Sequence, residues 1–303
     1  MDGLYGSRWI GLGLVWWLGL FGMMGCQTPI KPVVGEFSVL TYNVKGLPAI
    51  VEGTGDPATR MKLISPMLND YDIVGIQENF QYNDELMSKL TLPLRAHASR
   101  EPRDRAYGSG LSLLSRFSAI AQEDAAWEKC HGVVSNANDC LAYKGFQRVR
   151  LQIQQDPSIV LDVYNLHADA GSGTEDQAAR MAQVEQLLLV IQKQSAGQAV
   201  LVIGDTNMRA LKAREGGKTD ADQLARLIAG AELTDSCKLF QCDKDAESEH
   251  IDRVLFRRSS ALQLEATEWK TEARFVNEKA EALSDHPAVL VRFRYTYTAP
   301  VGT

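Results

Sequence analysis

An α/β fold, with sheets covered by helices, is the class this sequence predicts. Three observations carry it: short apolar strand-like runs alternate with amphipathic stretches, two of those runs are apolar enough to be buried on both faces, and no low-complexity break interrupts the order. The 303 residues allow one large domain or two ordinary ones, and since no second boundary is visible one domain is the leading count. Hydrophobic residues at 45% and charged residues at 23% are ordinary globular usage, which excludes a fully disordered, collagen-like or multi-span membrane chain. The formal net charge of -6 supplies no general basic field, leaving only a local basic patch as a route to a nucleic-acid partner.

At the N-terminus, Arg8 precedes an apolar run from Trp9 to Phe21, closed by Gly22-Met23-Met24-Gly25-Cys26. A basic residue, a short apolar core and small residues at the end are the pattern of a secretory signal, and the run is shorter than the ~20 residues a spanning helix needs. Gly25-Cys26 resembles the end of a bacterial lipoprotein signal, although Met23 and Met24 stand where Leu and Ala or Ser are usual. Residues 1–25 are therefore expected to be a signal peptide of lipoprotein type, with Cys26 lipidated as the mature N-terminus. Ordinary secretion and an uncleaved anchor are the alternatives. All three put the remainder outside the cytoplasm, whether membrane-anchored, periplasmic or secreted. One acyl chain holds a membrane only marginally, so firm anchoring through Cys26 implies several.

Setting Cys26 aside leaves Cys130, Cys140, Cys237 and Cys242, an even number that suits an oxidising compartment. Three disulfide connectivities are open, and the local one, Cys130 with Cys140 and Cys237 with Cys242, is the simplest. A zinc site is the alternative, weakened by the lack of CxxC knuckles.

A linker over residues 26–35 leads into a domain expected over residues 36–297. Phe37 to Tyr42, Asp72 to Gln77 and Leu111 to Leu114 read as strands, the second of the buried kind. Alternation from Phe146 to Ile153, a turn at Asp156-Pro157-Ser158 and a second run from Ile159 to Leu166 predict a hairpin. Met181, Val184, Leu188 and Ile191 recur at helical spacing within Glu175 to Gln194. Ala199 to Gly204 is an almost wholly apolar strand. Thr219 with Asp222 resembles a capping box for a helix that Gly230 stops. His250 to Phe256 and Ala288 to Tyr295 complete the strands.

Chemistry gathers where strands end. Asn43 follows Val39-Leu40-Thr41-Tyr42, Glu78 follows Ile76-Gln77, His167 closes Asn165-Leu166, and Asp205 with Asn207 follows Ile203-Gly204. In an extended stretch residues two apart share a face, so Asp205 and Asn207 are expected to aim at one ligand. Asp285-His286 precedes the last strand. Any one of these has a bland explanation as a turn residue or a satisfied histidine. The ordered set is harder to dismiss.

Thr41-Tyr42-Asn43, Ile76-Gln77-Glu78, Asn165-Leu166-His167, Gly204-Asp205-Thr206-Asn207, His250-Ile251-Asp252-Arg253 and Ser284-Asp285-His286-Pro287 together resemble the endonuclease/exonuclease/phosphatase superfamily. The resemblance spans nearly the whole mature chain and implies an α/β four-layer sandwich of two packed mixed β-sheets flanked by helices. Tyr42-Asn43-Val44-Lys45-Gly46-Leu47-Pro48, and Asp139 preceding Lys144 by five residues with Lys144-Gly145-Phe146 leading into a strand, resemble its sphingomyelinase-like phospholipid phosphodiesterase branch. No aromatic-rich apolar hairpin of the bilayer-inserting kind accompanies them, and Trp127 and Trp269 read as partial core.

The resemblance implies a monomeric, metal-dependent phosphodiesterase. Hydrolysis needs a water to attack phosphorus while negative charge grows on the surrounding oxygens, a task suited to Mg²⁺, with Mn²⁺ or Co²⁺ as substitutes. Glu78 and Asn43 are the expected metal ligands. His286, oriented by a carboxylate such as Asp252 or Asp285, is the expected general base. Asp205 and Asn207 would position water and phosphate, His167 would donate to a nonbridging oxygen, and Lys144, steered by Asp139, would meet the substrate phosphate. A phospholipid is the leading substrate. The alternatives are a nuclease using a basic groove of Arg95, Arg100, Arg103 and Arg105, an inositol-phosphate-type phosphatase, and a non-catalytic surface-binding protein.

Overall fold

The structure, a computed structural model, describes residues 1, 31–48, 56–98, 107–132, 136–213, 217 and 219–299. The expected signal segment, Cys26, Arg100, Arg103 and Arg105 lie outside the described residues. Within the unit Pro32–Thr303 the elements run β1 (Val33–Asn43), α1 (Pro57–Met67), β2 (Ile73–Gln77), α2 (Asn83–Met87), β3 (Leu94–His97), β4 (Ser112–Ser115), β5 (Ser118–Ala126), β6 (Gly145–Gln154), β7 (Ile159–His167) and α3 (Thr174–Gln194). After them come β8 (Val200–Asp205), α4 (Ala221–Gly230), β9 (Thr234–Asp235), α5 (Ser236–Phe240), β10 (Asp252–Arg257), β11 (Leu262–Thr271) and β12 (Val289–Tyr297).

The strands form two six-stranded sheets, ordered β11-β12-β1-β2-β4-β3 and β5-β6-β7-β8-β10-β9. Each is mixed, because β1 with β2 and β7 with β8 pair in parallel while their other neighbours are antiparallel. Side chains alternate across each strand, so both faces of a central strand must be buried for an unbroken apolar run to make sense. Val39, Leu113, Val163, Leu201, Phe256 and Phe293 point into the layer between the sheets. Their neighbours point outward: Leu40, Val74 and Ile76 meet Met61, Ile64 and Leu86 of α1 and α2, whereas Tyr164, Val202 and Leu255 meet Val184, Leu188 and Leu227 of α3 and α4. Helix, sheet, sheet and helix make the expected four-layer sandwich.

The expected hairpin is β6 with β7, Phe146 opposite Leu166. Four strands escaped the sequence reading. β5 and β11 lie at sheet edges and carry mostly polar residues on their exposed face, so their apolar alternation is weak; β3 and β9, also edge strands, have only four and two residues. The cap of α4 also differs from expectation. Ala221 N does donate to Thr219 Oγ1 at 3.3 Å, but the N-cap residue is Asp220. The Asp220 carboxylate is occupied by Arg180 (Nη2 to Oδ1, 2.8 Å) and by Arg209 N (3.0 Å to Oδ2). The long-range contact takes the side chain that a local cap would use. Gly204 is required where it stands: its φ is +132°, and a Cβ there would run into the carbonyl oxygen of Leu166 on β7.

Candidate active site

Two parallel pairs with their C-terminal ends at one edge create the site. β1 ends at Asn43 in register with Gln77, and β7 ends at His167 in register with Asp205. The antiparallel β10 begins at that edge, Asp252 opposite Asp205. Below the edge a buried polar bridge ties the two sheets together: Gln77 Nε2 donates to Asn165 Oδ1 at 2.7 Å, and Asn165 Nδ2 donates to Ile76 O at 3.0 Å and Ser112 O at 3.1 Å. Bonded at every turn, this bridge holds the strand ends at a fixed separation.

Above it the carboxylates converge. Asn43 Nδ2 donates to Glu78 Oε1 at 2.9 Å and to Asp205 Oδ2 at 3.1 Å, so two anions share one neutral amide. Burial pushes the Glu78 carboxyl above the usual range, opposed by the charge of Lys144 and the Asn43 hydrogen bond. Burial likewise raises Asp205, helped by the charge of Asp252. Crowded, partly desolvated oxygen donors that raise one another's proton affinity are the donor set of a hard divalent cation, and they fit one. Asn43 Oδ1 accepts from Lys45 N at 3.0 Å, and a half-turn of the amide would exchange oxygen for nitrogen toward Glu78. Asp205, Asp252 and His286 make a second converging set whose ligand atoms lie within 4.8 Å of one another.

His286 Nδ1 lies 2.7 Å from Asp252 Oδ2, and its Nε2 faces Asp205 Oδ2 at 3.9 Å. Burial works against the imidazolium, but the Asp252 hydrogen bond and the charges of Asp252, Asp205 and Asp285 prevail and carry the pKa up to about 10. His167 is the opposite case. Its ring is buried, Nε2 stands 3.5 Å from Asp205 Oδ2 and 3.9 Å from Glu78 Oε1, and burial together with the charges of Lys144 and His286 holds it well below the ordinary value, as a neutral imidazole. Trp127 is core, as expected, and fixes this strand end by donating Nε1 to His167 O at 2.7 Å. Lys144, only 9% exposed, is paired with Asp139, whose other oxygen accepts from Ala170 N at 2.8 Å.

Three expectations need correction. Asp205 and Asn207 do not share a strand face, because β8 stops at Asp205 and Asn207 adopts a left-handed turn (φ 50°). They meet instead through Asn207 N, which donates to Asp205 Oδ1 at 2.9 Å, while Asn207 Nδ2 donates to Ala168 O at 3.1 Å. Of the two carboxylates considered as partners of His286, Asp252 holds the ring; Asp285 turns away to Lys45 Nζ at 2.9 Å with its side chain 55% exposed. Arg95, counted toward a basic groove, gives its guanidinium to the carbonyls of Leu90 and Leu92.

Three supporting residues were missed. Ser284 Oγ donates to Asn43 O at 2.7 Å and so joins the His286 loop to β1. Asp169 accepts from His131 N at 2.8 Å, and burial with the charge of Asp139 raises its carboxyl to about 7. Arg180, wholly buried, donates to the carbonyls of Asp169, Ala170 and Gly171 as well as to Asp220, linking the turns after β7 and β8. The spacing of Asp169 two residues after His167 was a readable signal; Arg180, on a helix, gave none. The cysteines form the local disulfides, Cys130–Cys140 and Cys237–Cys242.

The model of the Endonuclease/Exonuclease/phosphatase family matches residues 40–286. The chain belongs to that family. A sphingomyelinase of Mycobacterium tuberculosis (strain ATCC 25618 / H37Rv) is 30% identical over 286 residues, covering 89% of this chain and 55% of the relative, and one of Mycobacterium bovis matches to the same extent. The chain thus spans about half the length of the curated relatives it matches. Sphingomyelinase C from Streptomyces griseocarneus shares the fold with a TM-score of 0.62 at 20% identity, over 85% of this chain and 99% of that one. A beta toxin variant from Staphylococcus aureus with bound magnesium ions shares it with a TM-score of 0.59 at 15% identity, over 88% of this chain and 100% of that one. Among the described residues no helix is long and apolar enough to cross a membrane.

Proposed function

We propose that the chain is an exported, Mg²⁺-dependent phospholipid hydrolase of the sphingomyelinase C kind, held near a membrane by a lipidated Cys26. The observation that carries the substrate class is the buried Asp139–Lys144 pair, a cation set beside the carboxylate cluster and close enough for its charge to act on Glu78, His167 and Asp205. A phosphate entering there would meet one fixed positive charge on its head-group side. The 30% identity to sphingomyelinases supports the lipid reading, and Arg95's use inside the fold weighs against a basic groove for nucleic acid.

Glu78 and Asn43 would hold the cation, with Asp205 beside them; when bound, it supplies positive charge to a nonbridging phosphate oxygen. In its deprotonated form His286 takes the proton of the attacking water on Nε2, while Asp252 steadies the resulting imidazolium through Nδ1. The water oxygen bonds phosphorus and the bond from phosphorus to the lipid oxygen breaks, that oxygen taking up a proton. Asp205 and Asn207 orient water and phosphate. His167, kept neutral, donates from Nε2 to a nonbridging oxygen. Lys144 is drawn from Asp139 onto the phosphate. The products are a lipid alcohol and a phosphorylated head group.

The test is hydrolysis by the purified protein with Mg²⁺ of sphingomyelin, phosphatidylcholine, plasmid DNA and inositol phosphates in parallel. Phosphocholine release from sphingomyelin as the fastest reaction supports the reading. DNA cut faster than any choline lipid, with steep salt dependence, would overturn it and leave the metal site standing.

A further inference from the structure

We propose that Cys237, Cys242, Asp243 and His250 form a Zn²⁺ site when the Cys237–Cys242 disulfide is reduced. This cluster is separate from the carboxylates at the strand ends. Cys237 belongs to α5, and Cys242 lies just past its end, where Gln241 in a left-handed conformation (φ 53°) folds the chain back. Cys242 N donates to Cys237 O at 3.1 Å, and the two Cα atoms are 5.0 Å apart. The loop then returns His250 to the same point, its backbone N donating to Asp243 Oδ1 at 2.8 Å.

One ligand atom from each of the four residues lies within 4.8 Å of every other. With Zn–S near 2.3 Å and Zn–N or Zn–O near 2.0–2.2 Å, adjacent ligand atoms of a tetrahedral site stand roughly 3.2–3.8 Å apart. His250 Nδ1 to Asp243 Oδ1 is 3.0 Å, Cys242 Sγ to Asp243 Oδ1 is 3.6 Å, and Cys242 Sγ to His250 Nδ1 is 3.8 Å. Three edges of the tetrahedron are thus already close to length, and the edge that must open is the one between the sulfurs. Two thiolates, an imidazole and a carboxylate select zinc over magnesium or calcium. The surroundings orient the ligands: Arg253 Nη2 holds the other Asp243 oxygen at 3.1 Å and is itself anchored by Asp235, and the Trp269 ring stands edge-on to His250 at 4.9 Å.

The chemistry balances with an external thiol as reductant. Two RSH become RSSR, the S–S bond breaks, and two electrons and two protons reach Cys237 and Cys242; Zn²⁺ then displaces both protons as the thiolates bind. The segment that leads through Ile251 to Asp252 is therefore held in either state, by the hydrogen bonds of His250 to Asp243 when the disulfide is closed and by the metal through His250 when it is open. Since Asp252 holds His286, the clamp preserves the geometry of the strand end under both oxidising and reducing conditions.

Cobalt substitution tests the site, because only thiolate ligation gives a thiolate-to-cobalt charge-transfer band together with strong tetrahedral visible bands. The reduced full chain should take up one equivalent of Co²⁺ with both features, and the oxidised chain should show neither. Cys237→Ser/Cys242→Ser should abolish them, and His250→Ala and Asp243→Asn should each weaken affinity ~10-fold or more. In the reduced chain Zn²⁺ should shield Cys237 and Cys242, but not Cys130 and Cys140, from alkylation read by mass spectrometry. Bands that persist in the double serine variant, affinity unchanged in both single variants, or equal alkylation of all four cysteines overturns the proposal. A reduced chain that unfolds and gains neither bands nor shielding overturns it too.

Discussion

Asp252→Asn is the sharpest probe of the His286 arrangement, since it keeps the shape of the side chain and removes the charge 2.7 Å from Nδ1. Burial alone would lower the His286 pKa, so the rise to about 10 is the work of its carboxylate partners, Asp252 first among them. At about 1.36 kcal/mol for each tenfold change in proton affinity, a rise from 6.5 to about 10 favours the imidazolium by roughly 4–5 kcal/mol. Asp252 supplies both the hydrogen bond and the largest charge, so its neutral replacement should remove about half of that or more, roughly 2–3 kcal/mol. A raised folded-state pKa gives stability that is fully present below the unfolded value near 6.5 and is lost as pH rises toward 10. In EDTA, the parent's unfolding free energy in urea should therefore fall between pH 6.5 and 9 by roughly 1–1.5 kcal/mol more than the variant's. NMR titration of the His286 ring should give a pKa about two units lower in the variant than in the parent. The kcat for phosphodiester hydrolysis should drop ~10²–10⁴-fold with little change in KM, the signature of a misoriented base. Parallel stability curves, or a His286 pKa that Asp252→Asn leaves unchanged, would refute the reasoning.

Chelation by EDTA should abolish hydrolysis and Mg²⁺ restore it; because His286 holds a proton beside Asp205 before the cation enters, binding should release protons and tighten as pH rises, measurable by calorimetry in buffers of different ionisation enthalpy. Lys144→Ala should cost ~1.5–3 kcal/mol in transition-state stabilisation, one to two powers of ten in kcat/KM for sphingomyelin, with the fold intact by circular dichroism. Gly204→Ala should lower stability by ~3 kcal/mol or more, read as a fall in the urea midpoint, since neither the Leu166 carbonyl nor a φ of +132° leaves room for a methyl group.

How much the sequence disclosed depends on how local each signal is. The strand ends were legible because a buried strand writes itself as an apolar run and the residue after it is the first that can be polar; Asn43, Glu78, His167 and Asp205 all stand at that point. Asn207 was misjudged because the period-two rule holds only while the chain stays extended, and the backbone turns left-handed at Asn207, two residues past the end of β8. Asp285 and Asp252 could not be told apart from their neighbours in sequence. Asp285 adjoins His286 covalently, yet an adjacent side chain on an irregular loop need not face its neighbour, and Asp252 reaches His286 only because β10 pairs antiparallel with β8. Arg180 lay beyond reach for the same reason: its five hydrogen bonds go to two turns that are distant in sequence from each other.

Lys144 is also coupled to the strand that ends in His167 through structure that no motif contains. Cys130–Cys140 closes the loop that carries Asp139, and each end of that loop hangs on the segment after β7. At one end His131 gives its backbone N–H to Asp169 and its ring to Asp176 on α3 at 2.6 Å; at the other Asp139 accepts from Ala170 N. Ala168 in turn takes the Asn207 amide, and Arg180 pins the carbonyls of residues 169–171. Lys144 therefore owes its position less to its own hairpin than to the few residues after His167. A shift of that segment would move the Lys144 charge and the neutral His167 imidazole together. Such a shared mount suits a reaction in which one phosphate must be gripped from both sides at once.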